Sequence, residues 1–249
     1  MKRERIDKLL VDRGLIASRE RARRLVMAGA VRVGDRVVDK PGALIASDAP
    51  LSVTGEDIPF VSRGGLKLAG ALDAFATPVA GRVVLDVGAS TGGFTDCVLQ
   101  RGARAVIAVD VGYGQFAWSL RQDARVTLLE RTNIRHLQAS ALPLIPELAV
   151  VDVSFISLRL VLGVVADALA PGGDIVALVK PQFEVGKGQV GSGGVVRDPA
   201  LQAAAVDSVR QHALGLGFEY VGECESPILG PKGNREFFLA LRKPARSGT

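Results

Sequence analysis

The chain has 249 residues, of which 48% are hydrophobic and 23% charged, with a formal net charge of +5. This composition is typical of a globular protein with a substantial core, in one large or two modest domains. The most apolar stretch, residues 148–170, is interrupted by Asp152, Arg159 and Asp167, and the first residues have no apolar signal segment. These features exclude a membrane span and a secretory signal. Only two cysteines are present, which fits a reducing compartment, so we expect a cytoplasmic protein without a metal cluster.

The positive charge is concentrated at the N-terminus. Residues 1–40 contain twelve Lys or Arg against six Asp or Glu, whereas the rest contains nineteen against twenty. A basic segment on a nearly neutral chain indicates an anionic partner at this end. The same arginines could instead be the solvated face of a helix, and charge alone does not separate the two interpretations.

Two short helices are predicted first. The apolar spacing predicts one helix over 5–12 and a second over 19–28, with Ser18 as its N-cap and Gly29 just beyond its end. A hairpin follows, with its turn at a Gly-Asp pair and its strands at 31–33 and 37–38.

This α-α-β-β order resembles the S4 domain, a small RNA-binding module. The resemblance covers about residues 4–58 and rests on the segments R-I-D-K-L-L, S-R-E-R-A-R-R-L and G-A-V-R-V-G-D. It implies a small α+β S4 domain over 1–58, a linker at 59–64 and a second domain over 59–249. The basic residues of the S4 domain and the linker that are expected to contact RNA are Arg5, Lys8, Arg19, Arg21, Arg23, Arg24 and Arg63.

From residue 81 onward, predicted strands and helices alternate. The strands are expected at 83–87, 105–109, 126–129, 148–151, 174–179, 218–222 and 236–241, and the helices at 65–75, 93–101, 114–122, 157–169 and 199–215. Such alternation predicts an α/β fold with a doubly wound, mostly parallel, Rossmann-like sheet. Ligands of such sheets bind beyond the carboxyl ends of the strands, where Asp86, Asp110, Asp152 and Lys180 fall in sequence.

A glycine-rich turn follows the first of these strands. The run V-L-D-V-G-A-S-T-G-G-F leads from the strand into a helix, and roughly twenty residues on a second strand ends in Asp110. An acid there is placed to bind a ribose hydroxyl. The dinucleotide pattern G-x-G-x-x-G is absent, which disfavours a dehydrogenase. A tight turn without any ligand is the alternative.

The turn instead resembles the S-adenosylmethionine loop of FtsJ-like ribose methyltransferases. The resemblance implies that S-adenosylmethionine is the cofactor, with Thr132 or Asn133 near its adenine. The full set of expected cofactor residues is Asp86, Gly88, Ser90, Gly92, Gly93, Phe94, Asp110, Thr132 and Asn133.

Four separate segments each place one ionisable residue beside a strand end or helix start: Lys67, Asp152, Lys180 and Glu236. Taken singly, each would more often be an ordinary surface charge or ion pair. Together, in the chain order K-D-K-E, they resemble the catalytic tetrad of ribose 2′-O-methyltransferases. The resemblance implies that Lys180 is the general base, that Asp152 and Glu236 hold the lysines, and that Lys67 orients the ribose or stabilises oxyanion charge.

The whole chain resembles the TlyA family, also called hemolysin A-like. Further shared segments are V-D-V-G-Y-G-Q, L-E-R-T-N, D-V-S-F-I-S and V-K-P-Q-F-E-V-G-K-G-Q-V-G. The resemblance implies S-adenosylmethionine-dependent 2′-O-methylation of cytidine in ribosomal RNA or a ribosomal subunit, with no obligate protein partner. Longer members carry an extra C-terminal helix and modify both subunits. This chain ends without that pattern, so we expect the large subunit as substrate and leave the small subunit open.

Other interpretations remain at this point. A non-catalytic S4-type RNA-binding protein that retains a cofactor-binding fold is the main alternative, whereas a pore former is disfavoured because no long membrane-active segment is present. The glycine-rich stretch 186–194 is either a mobile connector or a loop that brings Lys187 onto RNA. Phe116 and Trp118 are expected in the core.

Overall fold

A computed structural model describes residues 3–16, 18–27, 29–53 and 58–245, without the side chain of Lys187. The chain divides into two compact units, Met1–Arg63 and Gly64–Thr249. The division lies in the segment for which the linker is predicted. Residues 54–57 and 246–249 are outside the described part, so the boundary at residue 58 and the expectation drawn from the C-terminal end stay predictions.

The smaller unit contains two helices and five short strands: β1 (Arg3–Arg5), α1 (Ile6–Asp12), α2 (Arg19–Met27), β2 (Val31–Val33), β3 (Arg36–Val38), β4 (Leu44–Ala46) and β5 (Leu51–Val53). Strand β1 pairs with β4, and β2 lies between β3 and β5, all antiparallel. Ile6 and Leu10, one helical turn apart on α1, are fully buried with Ala22 and Val26 of α2. The two predicted helices and the hairpin are therefore present, whereas β1, β4 and β5 were not predicted.

The larger unit begins with a helix and then alternates: α3 (Gly64–Ala74), β6 (Val83–Val87), α4 (Gly93–Gln100), β7 (Ala105–Val109), α5 (Trp118–Arg121), β8 (Val126–Leu129), β9 (Leu148–Val151), α6 (Leu162–Ala168), β10 (Asp174–Val179), α7 (Pro181–Glu184), α8 (Pro199–Gly215), β11 (Glu219–Glu225) and β12 (Phe237–Arg242). Five predicted strands match their observed bounds. Two predicted helices are shorter than expected: 114–122 reduces to α5, and 157–169 becomes a 3-10 turn (Leu158–Leu160) followed by α6.

These strands form one seven-stranded sheet in the order β11-β12-β10-β9-β6-β7-β8. Strands β8, β7, β6, β9 and β10 are parallel, and β12 runs antiparallel to β10 and β11. Every residue of β6, β9 and β10 is buried because helices cover both faces, which explains their nearly continuous apolar sequence. The predicted doubly wound α/β fold is confirmed.

The register of the sheet brings several strand ends to one edge. Val87 of β6 lies opposite both Val109 of β7 and Val151 of β9, so the residues that follow these strands emerge side by side. Strands β7 and β8 are added on one side of β6, and β9 and β10 on the other, so the strand order reverses between β6 and β9. This is the switch point where such sheets bind ligands. Strand β12 starts at the same edge, because Phe237 lies opposite Val179 at the end of β10.

None of the helices in the described residues is long and apolar enough to cross a membrane.

Candidate active site

A cleft of about 850 Å³ opens at the carboxyl ends of the parallel strands. Its walls come from the segments after β6, β7, β8 and β9 and from α7. Among the predicted site residues, the cleft is lined by Gly88, Ser90, Asp110, Thr132, Asn133 and Asp152. Its volume is in the range of small-molecule sites, about 300–1,000 Å³.

The turn after β6 is packed directly on the segment after β9. Gly88 has φ +85°, and a Cβ atom there would lie 2.3 Å from the backbone oxygen of Asp152. A side chain at position 88 would therefore force these two segments apart. Ser90, two residues on, also has a positive φ of 50°. Glycine at 88 is what allows the two strand ends to form a common wall of the cleft.

Asp110, at the end of β7, is tied to the same turn. Its Oδ2 accepts a hydrogen bond from the backbone N–H of Ser90 (2.7 Å), and its Oδ1 accepts from the N–H of Gly112 (2.6 Å) and from Gln115 (3.2 Å). The carboxylate thus shapes the cleft wall as well as facing it.

Four of the predicted cofactor residues lie behind the cleft wall. Gly92 precedes α4 with φ +95°, and Gly93 and Phe94 are buried in its first turn. Asp86 is inside β6 and fully buried, where its Oδ2 accepts a hydrogen bond from Thr95 Oγ1 (2.6 Å) and its Oδ1 accepts none within the described residues. Burial raises the pKa of the Asp86 carboxyl to about 7. These residues can support a ligand site from behind but do not form its surface.

Lys180 and Asp152 form an ion pair at the edge of the cleft. Lys180 Nζ also donates a hydrogen bond to Ser154 Oγ at 2.9 Å. The side chain of Lys180 is 9% exposed and that of Asp152 is 21% exposed. Asp152 and Ser154 line the cleft, whereas Lys180 is not a lining residue and contacts both of them.

Lys67 and Glu236 form a second, more deeply buried ion pair. Lys67 Nζ lies 2.5 Å from Glu236 Oε2, and Glu236 is fully buried. Gly230 is packed on this carboxylate so tightly that a Cβ atom at position 230 would lie 2.1 Å from Glu236 Oε1. That Oε1 atom accepts no hydrogen bond from the described residues.

The two ion pairs are neighbours in the sheet. Because Val179 lies opposite Phe237, the next positions outward place Lys180 beside Glu236. Breaking a buried ion pair is costly, yet an apolar replacement of the whole pair is often as stable, so stability alone is a weak reason for two such pairs. All four residues of the predicted tetrad therefore lie at one end of the sheet, as two ion pairs.

Sequence analysis missed several residues that hold this arrangement. Glu184, buried at the end of α7, accepts hydrogen bonds from the backbone N–H of Leu158 (2.8 Å) and from Ser157 Oγ (2.5 Å), and burial raises the pKa of this carboxyl. Asn234 donates to the backbone oxygen of Gly194 (3.1 Å) and accepts from the N–H of Val196 (3.2 Å). Ser157 and Glu184 stand in the D-V-S-F-I-S and K-P-Q-F-E segments, but only the fold reveals their pairing.

Phe155 and Trp118 are among the exposed aromatic residues at this end of the sheet. Phe155 is 91% exposed, has φ +63° and lies 5.1 Å from the ring of Phe183, both in the cleft wall. Trp118 is 72% exposed, so its predicted core position is wrong, whereas Phe116 is buried as expected. Trp118 is the first residue of α5, a helix of only four residues in which Leu120 alone is buried. The side chain of Trp118 is therefore on the side of the helix that faces away from the core.

The predicted RNA-binding residues of the smaller unit differ in their partners. Arg5 and Arg19 both bind the buried carboxylate of Asp7, and although burial alone would raise the pKa of Asp7, these hydrogen bonds hold it below its usual range. Lys8 pairs with Glu4 and Asp12.

The remaining basic residues differ in exposure. Arg23 and Arg63 are exposed, and Arg21 and Arg24 are half-buried. Lys187 starts a 3-10 turn within the glycine-rich stretch.

In the described ranges, no group of three His, Cys, Asp or Glu side chains is placed to hold a metal ion.

Comparisons with known proteins agree with this architecture. The profile of the FtsJ-like methyltransferase family matches residues 60–243, and that of the S4 domain matches residues 4–48. The chain is 53% identical to the 16S/23S rRNA (cytidine-2'-O)-methyltransferase TlyA of Mycobacterium tuberculosis, over 97% of this chain and 90% of the relative. It is 37% identical to Hemolysin A of Brachyspira hyodysenteriae, over 94% of this chain and 97% of the relative.

A solved structure of a protein from Streptococcus thermophilus that is named as a hemolysin is 45% identical, with a TM-score of 0.77, over 98% of this chain and 90% of that one. The expected family is confirmed by these matches. The chain belongs to the TlyA family and combines an S4 domain with an FtsJ-like methyltransferase domain.

Proposed function

We propose that this methyltransferase transfers a methyl group from S-adenosylmethionine to the ribose 2′-hydroxyl of a cytidine in ribosomal RNA. The observation that carries the proposal is the convergence of Lys67, Asp152, Lys180 and Glu236 as two buried ion pairs beside a cleft of cofactor size. The substrate is taken from the relative in Mycobacterium tuberculosis, whose name specifies cytidine 2′-O-methylation of ribosomal RNA.

The cleft residues fit S-adenosylmethionine. The cleft lies at the switch point of the sheet, with a glycine turn at Gly88 and an acid, Asp110, after the next strand. Asp110 would hold the ribose hydroxyls, Ser90 and its neighbours the methionine part, and Thr132 and Asn133 the adenine. When bound, the cofactor would supply an electrophilic methyl group. The bond between this methyl group and sulfur would break as the bond to the ribose oxygen forms, which would leave the sulfur as a neutral thioether.

The protein must make a ribose hydroxyl nucleophilic and hold it in line. Once neutral, Lys180 removes the hydroxyl proton, and the adjacent Asp152, its ion-pair partner before the step, keeps the amine in position. Lys67, held by Glu236, supplies a positive charge where the oxygen becomes negative. Because these groups are fixed by the sheet, little reorganisation is needed when the substrate arrives.

The smaller unit is proposed to anchor the RNA. Its S4 domain and the basic excess of residues 1–40 support an anionic partner, for which Arg23 and Arg24 of α2 are candidates, together with Lys187 in the glycine-rich loop of the larger unit. Ribosomal RNA as substrate supports a cytoplasmic location. Whether one or both ribosomal subunits are modified is part of the test.

The decisive experiment incubates the purified protein with labelled S-adenosylmethionine and each ribosomal subunit or its naked RNA. Digestion to nucleosides and mass spectrometry should identify 2′-O-methylcytidine, and mapping should locate it. Lys180→Ala is the inactive control. A methylated base, a methylated ribose on another nucleoside, or no transfer to any of these RNAs would contradict the proposal, and the last result would favour a non-catalytic RNA-binding protein.

A further inference from the structure

Lys180 has one contact that the four-residue tetrad does not contain. Its Nζ atom donates a hydrogen bond to Ser154 Oγ at 2.9 Å while it pairs with the carboxylate of Asp152. Both acceptors stand in the segment after β9, two residues apart, and both line the cleft. The Lys180 amine therefore contacts two separate oxygen atoms of the same segment, one from Ser154 and one from Asp152.

A lysine that accepts a proton must first be neutral, with two N–H bonds and one lone pair on nitrogen. If two fixed oxygens accept the two N–H bonds, the lone pair is confined to the remaining tetrahedral position. With Asp152 alone, the amine could rotate about its Cε–Nζ bond and spread the lone pair over several directions. A second acceptor removes that freedom.

We propose that Ser154 is a positioning residue for methyl transfer: its hydroxyl and the Asp152 carboxylate hold both N–H bonds of neutral Lys180, so that the lone pair has one direction. This inference rests on the proposed function, in which Lys180 is the base. During the step, the 2′-O–H bond breaks and a third N–H bond forms at Nζ, while the hydrogen bond to Ser154 and the contact with the Asp152 carboxylate remain in place. Such preorganisation lowers the barrier without rearrangement at the moment of reaction.

Ser157 stands three residues further along the same segment and has a different partner. Its hydroxyl donates a hydrogen bond to the buried Glu184 carboxylate. Ser157→Ala therefore makes the same chemical change in the same segment but removes no hydrogen bond to Lys180. It shows how much of any rate loss comes from a general disturbance of the segment.

The test compares Ser154→Ala, Ser154→Thr, Ser157→Ala and the unaltered protein in single-turnover methyl transfer to the RNA identified above. Ser154→Ala should lower the maximal rate by about 10–100-fold, as for a misoriented reacting group. The dissociation constants for S-adenosylmethionine and RNA should change by less than about twofold, because the orientation matters only in the transition state. Ser154→Thr, which keeps the hydroxyl, should restore most of the rate, and Ser157→Ala should retain it within about threefold.

The pH profile separates orientation from protonation. If Ser154 orients the lone pair, the rate of Ser154→Ala should be lower than that of the unaltered protein by the same factor at low and at high pH. Convergence of the two rates at high pH would overturn the inference, and so would a Ser157→Ala deficit as large as that of Ser154→Ala.

The outcome for Lys180 keeps this inference distinct from the proposed function. If Lys180→Ala transfers methyl groups normally, the proposed mechanism fails. If Lys180→Ala is inactive and Ser154→Ala is as fast as the unaltered protein, only the role of Ser154 is wrong.

Discussion

The two units of this protein use charge in different ways. In the smaller unit, ion pairs such as Lys8–Glu4 and Arg19–Asp7 have basic partners that are about half exposed. In the larger unit, Lys67–Glu236 and Lys180–Asp152 have basic side chains that are 10% and 9% exposed. Exposed pairs contribute little free energy and their partners exchange readily, whereas buried charges require fixed partners.

This difference separates attraction from chemistry. A surface of exposed arginines attracts any phosphate backbone, and its strength depends on salt. A buried pair of lysines, each held by a carboxylate, fixes amine positions to a fraction of an ångström but contributes little long-range attraction. We therefore expect substitutions in the smaller unit to change affinity, and substitutions at the strand ends to change rate.

The largest effect is expected at Lys180. Lys180→Ala should lower single-turnover methyl transfer by about 10²–10⁴-fold, the range for a lost general base, with little change in cofactor or RNA affinity. Lys180→Arg is the sharper comparison, because it keeps the positive charge and the partner Asp152 but does not deprotonate. A Lys180→Arg protein with substantial activity would show that charge, and not proton removal, is what the position supplies.

The next largest effect concerns stability and pH. Burial raises the pKa of Asp86 from 3.8 to about 7, so between these values the folded protein retains a proton that the unfolded chain releases. The free energy of unfolding contributed by this group should therefore fall from about pH 4 to pH 7 and then level off, by up to about 4 kcal/mol. Asp86→Asn should remove this slope in urea unfolding measured across that range.

Asp167→Asn, at an exposed carboxyl on α6, is the control for this experiment. It should leave the pH dependence of unfolding as in the unaltered protein. An Asp86→Asn protein with the original slope would mean that Asp86 remains ionised when buried.

A smaller effect is expected at Asp110. Asp110→Ala should weaken S-adenosylmethionine binding by about 1–3 kcal/mol in calorimetry, as for a polar ligand group that loses its partner. Because Asp110 also accepts hydrogen bonds from Ser90 and Gly112, part of this loss can come from the loop. Gln115→Ala is the comparison, because it removes another hydrogen bond to the same carboxylate and leaves the carboxylate itself in place. Equal losses in both variants would remove Asp110 from direct cofactor contact.

The smallest effect is expected from two adjacent arginines of α2, Arg23 and Arg24. Replacing Arg23 and Arg24 with alanine should reduce RNA affinity by about tenfold and the slope of log affinity against log salt by about 2, one for each phosphate that is no longer neutralised. Methyl transfer at saturating RNA should be unchanged. Replacing Arg104 and Arg125 of the larger unit is the matched control. An equal loss of RNA affinity in this control would show that the smaller unit has no special role in binding RNA.

The sequence allowed the central sheet to be predicted because four of its strands, β6, β7, β9 and β10, are almost completely buried. Strands β6, β7, β8, β9 and β10 are apolar runs bounded by turn residues, so their ends could be located to the residue. Strands β1, β4 and β5 have three residues each, which is too short for an alternating pattern to be detected.

The candidate site was predictable as a set of residue types but not as contacts. The four residues could be grouped because each adjoins a strand end or helix start and because their chain order resembles the tetrad of ribose 2′-O-methyltransferases. Ser154 and Glu184 escaped because their partners belong to segments more than twenty residues away. Likewise, the sequence places Asp86 at a strand end but does not reveal that α4 covers it.

The large sheet has a register shift in its edge strand β11, away from the strands that carry the candidate site. Pairing between β11 and β12 shifts by one residue between Tyr220 and Gly222, on the edge strand, whereas β12 pairs with β10 without interruption. An extra residue in β12 would instead move Glu236 away from Lys180 and reverse the face of every following side chain. We therefore expect insertions and deletions among natural variants to be tolerated in β11 and its preceding turn, and to be purged between Asn234 and Arg242.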